Sequence, residues 1–333
     1  MKLSKVLFVT PYVGQDTPQS MSFAKFLMTK IQQQGVEVRN LPVSKTINPF
    51  VLAGQVKSLR SITREFGQDI TVANYGTYTG LLVAMFSRRP RVVIFRGDDL
   101  KSTFYLSWIY RNLQLAASHA SSFLVDGIIC VSHELANLLF VKKPRLICPS
   151  PTNLDLFRPM SQEACRKELG WDLNKPIAVF FGYGGREEKR ADLAHQVKTH
   201  LMSINVDVEL KIFIDLIPLN QMPVYLNAAD CMLFVSASEG SPNLIRDACA
   251  CNLPIVSVPV GDVSQVLAEV TPTEIVEPDV PLLSEAVTRL SSLRTRSNGR
   301  TRVEHYSGDT IAKRYIEFFS ELVSGTYKDK RPA

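Results

Sequence analysis

The feature that most constrains this chain is an alternation in which short runs rich in β-branched and aromatic residues are each followed by a longer stretch with helical spacing. KVLFVTP (5–11), VEVRNLPV (36–43), DITVAN (69–74), RVVIFR (91–96), GIICVS (127–132) and RLICPS (145–150) are the strand candidates of the first half. Between the first two, Phe23, Phe26, Leu27 and Ile31 recur at helical spacing before Gly35 closes the helix, giving one βαβ unit. Strands joined through helices run parallel, and a parallel sheet needs helices on both faces, so the pattern predicts an α/β fold. A second alternation follows, with IAVFFG (177–182), VELKIFI (208–214), CMLFVS (231–236), PIVSV (254–258) and EIVE (274–277) separated by helices at 188–202, 220–228, 243–251 and 262–268. A further helix is expected at 281–293. At 333 residues the chain exceeds what one core supports, and two Rossmann-like doubly wound domains facing a cleft are predicted, with ligands at the carboxyl ends of strands. The expected boundaries are a first domain over 1–152, a polar and proline-bearing linker over 153–175 with a short helix at 161–169, and a second domain over 176–305. A C-terminal helix within 306–326 is expected to pack across the domain junction.

Composition narrows the function classes. Hydrophobic residues make up 45% and charged residues 21%, the balance of a globular chain able to bury a core. The longest apolar runs, such as LLVAMF from Leu81, are too short to cross a bilayer. The run from Val6 to Val9 stops at Thr10 and Pro11, unlike a signal peptide, so a cytoplasmic location is expected. Six cysteines show no paired framework, which agrees with a reducing compartment. His195 and His200 lie five apart and do not share a helical face; no metal site built by the protein and no cofactor are expected. A net charge of +6 fits phosphates or an anionic membrane surface, and equally a solvated surface. Nothing besides that charge points to nucleic acid, and none is expected as a partner. The segment VTPYVGQDTPQS lacks the glycine fingerprint of a nicotinamide dehydrogenase.

After CMLFVS comes Ala237-Ser238-Glu239-Gly240-Ser241-Pro242-Asn243 and then LIRDACAC. Strand, tight turn and helix start outline a phosphate site. Gly240 lets backbone approach a ligand, Pro242 suits a first helical turn, and the amides of Asn243 and Leu244 point at whatever sits there. The partial positive charge of a helix N-terminus favours a diphosphate, and Ser241 lies in the same turn. Glu239 and Asp247 are eight positions apart, about two helical turns, so both can face one site and accept hydrogen bonds from sugar hydroxyls. A surface capping turn before an ordinary helix is the competing reading.

The stretch from Met222 to Asp262 resembles the donor-binding core of glycosyltransferase family 4, the retaining enzymes with the GT-B fold. FRGDDL (95–100), VSHELA (131–136), NLDLFRP (153–159) and FFGYGGREEKRADLA (180–194) fall in the matching order. The resemblance implies that Glu239 contacts the transferred sugar, that Asp247 holds the ribose, and that Lys189 with Arg186 neutralises the diphosphate. It further implies a UDP- or GDP-sugar donor, a glycan or lipid-linked acceptor, retention by front-face attack, and a place in surface polysaccharide or glycoconjugate biosynthesis. For Lys189 and Arg186 a solvated loop, REEKR, is the alternative. The charge logic is independent of the family, because a departing nucleotide diphosphate builds negative charge that cations and helix-end amides stabilise.

The match departs from the pattern in places. Asp247 stands where a glutamate is usual, which leaves open a non-catalytic nucleotide-sugar-binding relative with a degenerate active site. The first loop carries only Gly14, which either approaches the diphosphate or makes a plain turn. Arg96 replaces a histidine common in relatives; it stays protonated and can bind phosphate or acceptor but cannot act as a base. Asp98 and Asp99 either orient the acceptor or cap the next turn. Tyr75, in Asn74-Tyr75-Gly76-Thr77-Tyr78, either stacks on a sugar or belongs to the core. The helix expected at 103–117, with Phe104, Trp108, Tyr110 and Arg111, has a character that suits a membrane surface, at the inner face of which the chain would be peripheral; its spacing favours core burial.

Overall fold

The computed structural model describes residues 3–12, 21–101 and 108–327. The chain forms two compact units, one of residues 1–151 together with 308–333 and one of residues 152–307.

In the first unit the elements run β1 (Lys5–Pro11), α1 (Ser22–Gln33), β2 (Glu37–Val43), α2 (Pro49–Phe66), β3 (Ile70–Asn74) and α3 (Tyr78–Phe86). They continue with β4 (Arg91–Phe95), α4 (Trp108–Leu124), β5 (Gly127–Cys130), α5 (His133–Asn137) and β6 (Arg145–Ile147). The six strands lie in the order β2-β1-β3-β4-β5-β6 and every pairing is parallel. The order reverses at β1, so right-handed crossovers put α1 on one face and α2 to α5 on the other. Every residue of β3, β4 and β5 is buried, as a sheet covered on both faces requires.

The second unit holds α6 (Gln162–Leu169), β7 (Ile177–Phe181), α7 (Ala191–Ser203), β8 (Glu209–Phe213), α8 (Met222–Ala228) and β9 (Cys231–Phe234). Then come α9 (Asn243–Ala250), β10 (Ile255–Ser257), α10 (Val263–Val266), β11 (Thr273–Ile275), α11 (Val280–Leu293) and α12 (Gly299–Val303). Its parallel sheet has the order β11-β10-β9-β7-β8. Residues 153–175 lie within this unit. There Arg166 is buried against Asp230 at 2.7 Å and also donates to the carbonyls of Ala228, Asp172, Leu173 and Lys175. The last helix, α13 (Gly308–Ser324), lies in the first unit and packs on α1, with Ile311, Tyr315 and Phe319 fully buried.

Two helices depart from the sequence pattern. α2 was not evident because its apolar stripe is sparse, only Leu59 and Phe66 being fully buried. In α4 the expected burial of aromatics is wrong: Trp108 is 76% exposed, and the buried residues are Ser118, Ser121 and Ser122. The helix meets α3 through small side chains, since a Cβ at Gly80 would lie 3.0 Å from Ser121 Oγ. Close helix contact through Gly and Ser leaves the aromatic face outward.

Candidate functional site

In the second unit the carboxyl ends of β7 and β9 open into two loops that meet. After β7 the backbone turns through three successive left-handed residues, Tyr183 (φ 46°), Gly184 (φ 75°) and Gly185 (φ 68°), and the amide of Gly184 donates to Ile214 O at 2.6 Å. A 3-10 turn at Glu187–Lys189 follows. The Glu188 carbonyl accepts from the amide of Ala237 at 2.7 Å, which joins this turn to the loop leaving β9. That joint brings Lys189 Nζ to 2.6 Å from Glu239 Oε1, with only 11% and 13% of the two side chains exposed. Of the two cations expected to act together, Arg186 stands apart: its side chain is half exposed and its Nε lies 3.3 Å from Glu188.

The Glu239-to-Asp247 spacing does not amount to two helical turns, because α9 begins at Asn243 and Glu239 lies in the loop before it. Both carboxylates nevertheless act on one group. Tyr183 is half-buried, and burial first, then the charges of Asp247 and Glu239, push its phenol far up, so it stays a neutral donor. Asp247 is half-buried on α9, and desolvation raises its carboxyl to about 7 against a weaker opposing pull from Arg246. Gly261, at φ 58°, closes the other side, where an added Cβ would stand 3.0 Å from Glu239 O.

Pro242 occupies the cap position of α9, one place before the first turn, and makes no side-chain cap hydrogen bond to it. At the opposite end Arg296 donates to Cys251 O at 3.0 Å and Arg300 to Ala250 O at 3.3 Å. Cations thus hold the negative end of the helix. The turn itself is fixed by residues the sequence reading passed over. Fully buried Arg246 donates to Ser241 Oγ at 2.6 Å and to Asn243 Oδ1 at 2.7 Å, and its guanidinium lies 5.4 Å from the Tyr306 ring centre. Ser241 in turn donates to Asp262 Oδ2 at 2.5 Å. A lone arginine inside the apolar helix LIRDACAC was the available signal, and its partners were invisible without the fold. Gly240 is buried and Leu244 packs in the core of this unit. Among the described residues no group of three His, Cys, Asp or Glu side chains could hold a metal ion.

In the first unit, Arg96 at the end of β4 donates to Asn74 Oδ1 at 2.8 Å and to Ser150 Oγ at 2.8 Å, and its guanidinium lies 4.3 Å from the Phe23 ring centre. Asp99 is buried and accepts from the amides of Gly76, Arg96 and Gly97 at 2.9, 3.0 and 3.0 Å, so its carboxylate makes the capping arrangement. Asp98 is exposed. Tyr75 is half-buried at φ 72°, on a corner where a Cβ at Gly76 would overlap the Phe95 ring. Gly14 and Phe104 lie outside the described residues.

Residues 170–292 match the model of the family described as glycosyl transferases group 1. The matched span contains the Lys189–Glu239 pair and the whole of α9. The chain is 26% identical over 248 residues to the putative teichuronic acid biosynthesis glycosyltransferase TuaC of Bacillus subtilis. That alignment takes in 68% of this chain and 62% of the relative, so the match spans about three fifths of the relative's length. Among solved structures, sucrose-phosphate synthase from Thermosynechococcus elongatus is similar with a TM-score of 0.76 at 15% identity, covering 97% of this chain and 100% of that one. HepE of Anabaena in complex with UDP is similar with a TM-score of 0.69 at 14% identity, covering 96% and 100%. The predicted fold is thereby found, two parallel-sheet Rossmann-like domains as in GT-B glycosyltransferases.

Proposed function

We propose that this chain is a retaining glycosyltransferase that moves a sugar from a UDP- or GDP-sugar to a glycan or lipid-linked acceptor in surface polysaccharide or glycoconjugate biosynthesis. The observation that carries this reading is the buried Lys189–Glu239 pair beside a helix start led by proline. Two buried charges neutralise each other at 2.6 Å, and a diphosphate gives Lys189 a stronger anion to pair with. In the proposed complex Lys189 turns to the diphosphate, with Arg186 adding charge from the rim. Glu239 is released to accept hydrogen bonds from the sugar, and the amides of Asn243 and Leu244 meet the phosphate. Asp247 takes the ribose hydroxyls. Gly240, Ser241 and Pro242 shape the turn, which Arg246 and Asp262 hold as positioning residues. The bond from the anomeric carbon to the phosphate oxygen breaks and a bond to the acceptor oxygen forms on the same face, the acceptor proton passing to the leaving phosphate. On this reading Gly14 would approach the diphosphate, and Arg96, with Asp98 and Tyr75, would meet the acceptor. The UDP complex of HepE and the teichuronic acid role in the name of the Bacillus subtilis relative support the donor and product classes.

Release of nucleotide diphosphate from a panel of UDP- and GDP-sugars tests the proposal, and absence of any thermal shift with every nucleotide sugar would sink it. Lys189→Ala is expected to lower turnover by on the order of a hundredfold to a thousandfold. The raised, shortened carboxylate of Asp247 favours one second reading, a donor-binding relative without transfer. Turnover that appears only in Asp247→Glu selects it.

A further inference from the structure

We infer that the helical layer of the first unit is a docking surface for an anionic lipid bilayer. The inference does not rest on the donor chemistry. Its first observation is apolar: Ile47 and Phe50, at the entry to α2, are 100% and 86% exposed, and Trp108, Ile109 and Leu113 stand outward on the first two turns of α4. Lys45 Nζ lies 4.6 Å from the Tyr110 ring centre, which sets the entry to α2 beside the start of α4 and makes one patch of the two. Both helices leave the carboxyl edge of the sheet, α2 after β2 and α4 after β4.

The second observation is charge. No acidic residue occurs between Glu37 and Glu65, between Asp69 and Asp98, or between Asp99 and Asp126, so α2, α3 and α4 together carry a single acid, Glu65. Phe50, Lys57 and Arg64 follow one another at intervals of seven and share the outer face of α2. Lys57, Arg60 and Arg64 line a groove of about 610 Å³ together with Leu52, Val56 and Phe86, a recess that is basic and apolar at once. Exposed tryptophan, phenylalanine and isoleucine beside an acid-free basic helix match an interface of acyl chains and anionic headgroups. A protein partner would need acidic groups to complement the basic ones and an apolar face for the aromatics. A bilayer presents both at once. No described helix is long and apolar enough to cross a membrane, so the association is peripheral.

The test is co-sedimentation of the full chain with vesicles of phosphatidylcholine alone and with vesicles that also contain phosphatidylglycerol. Binding is expected only to the second kind, weakened by salt. The triple variant Lys57→Gln, Arg60→Gln, Arg64→Gln is expected to lose on the order of a hundredfold in partition, at about fivefold per basic group. Phe50→Ser with Trp108→Ser is expected to abolish binding. All these side chains are outward, so melting temperatures should match the wild type, and nucleotide diphosphate release in vesicle-free solution should persist. Equal binding to both vesicles, or a triple variant that binds like the wild type, overturns the inference. So does sedimentation velocity showing a wild-type dimer that the Phe50 and Trp108 changes dissolve, with no vesicle binding, since the patch would then be an interface between copies.

Discussion

Asp247 is one methylene shorter than the glutamate that the resemblance leads one to expect, and burial holds its carboxyl at about 7 instead of 3.8. The folded chain therefore keeps a proton that the unfolded chain has lost, and stability falls as pH rises from about 4 to about 7. Asp247→Asn removes that contribution, so melting temperatures at pH 5 and pH 8 should lie closer together than in the wild type. Ribose hydroxyls donate best to the ionised form, so affinity for UDP is expected to rise from pH 6 to pH 8, with proton release visible by calorimetry in two buffers. A flat profile would remove Asp247 from the proposed ribose contact. Gly261→Ala forces a side chain into left-handed backbone 3.0 Å from Glu239 O, and is expected to lower donor turnover more than it lowers melting temperature. At this scale the sequence showed residue types but not their pairings. Lys189 and Glu239 were legible as charges in the right segments; their contact depends on the hydrogen bond between Ala237 and Glu188, which no spacing rule contains. The Ser241–Asp262–Arg246 chain was hidden for the same reason.

Strands and helices of the second unit, α12 apart, were legible to within about three residues, because a strand buried on both faces reads as an unbroken apolar run, as in IAVFF of β7 and CMLF of β9. Helices that pack through small residues or a sparse stripe were not. In α4 the buried residues are three serines, of which Ser121 meets Gly80 of α3, and the aromatics stand outside, which inverts the usual periodicity argument. Polarity also resides in elements: α9 has arginines on its last carbonyls and a proline at its cap position. Short α6 is anchored chiefly by Arg166, which satisfies four carbonyls and Asp230, with Gln162 donating to Ala229 O and Asp230 Oδ1 at 3.0 Å each. Arg166→Ala leaves the Asp230 carboxylate buried without its cation, and a loss of about 3–5 kcal/mol in urea denaturation is expected.

On the scale of the whole molecule, each sheet has its own core, and every residue proposed to bind the donor, apart from Gly14, lies in the second unit. Saturating UDP is expected to slow amide exchange across residues 152–307, by about 2.7 kcal/mol at a hundred times the dissociation constant, and to leave β3 to β5 unchanged. Equal protection in both units would contradict that assignment. The two-domain plan was legible from length and alternation, but not that the first unit is built from two separate stretches of chain. α13 supplies Tyr315, Phe318 and Phe319 to the first unit, and Gly308 sits where any Cβ would meet Phe26. During synthesis, then, the part made first cannot be finished first. Its sheet must wait, with the face beside α1 incompletely covered, until the second unit has left the ribosome and the closing helix has followed.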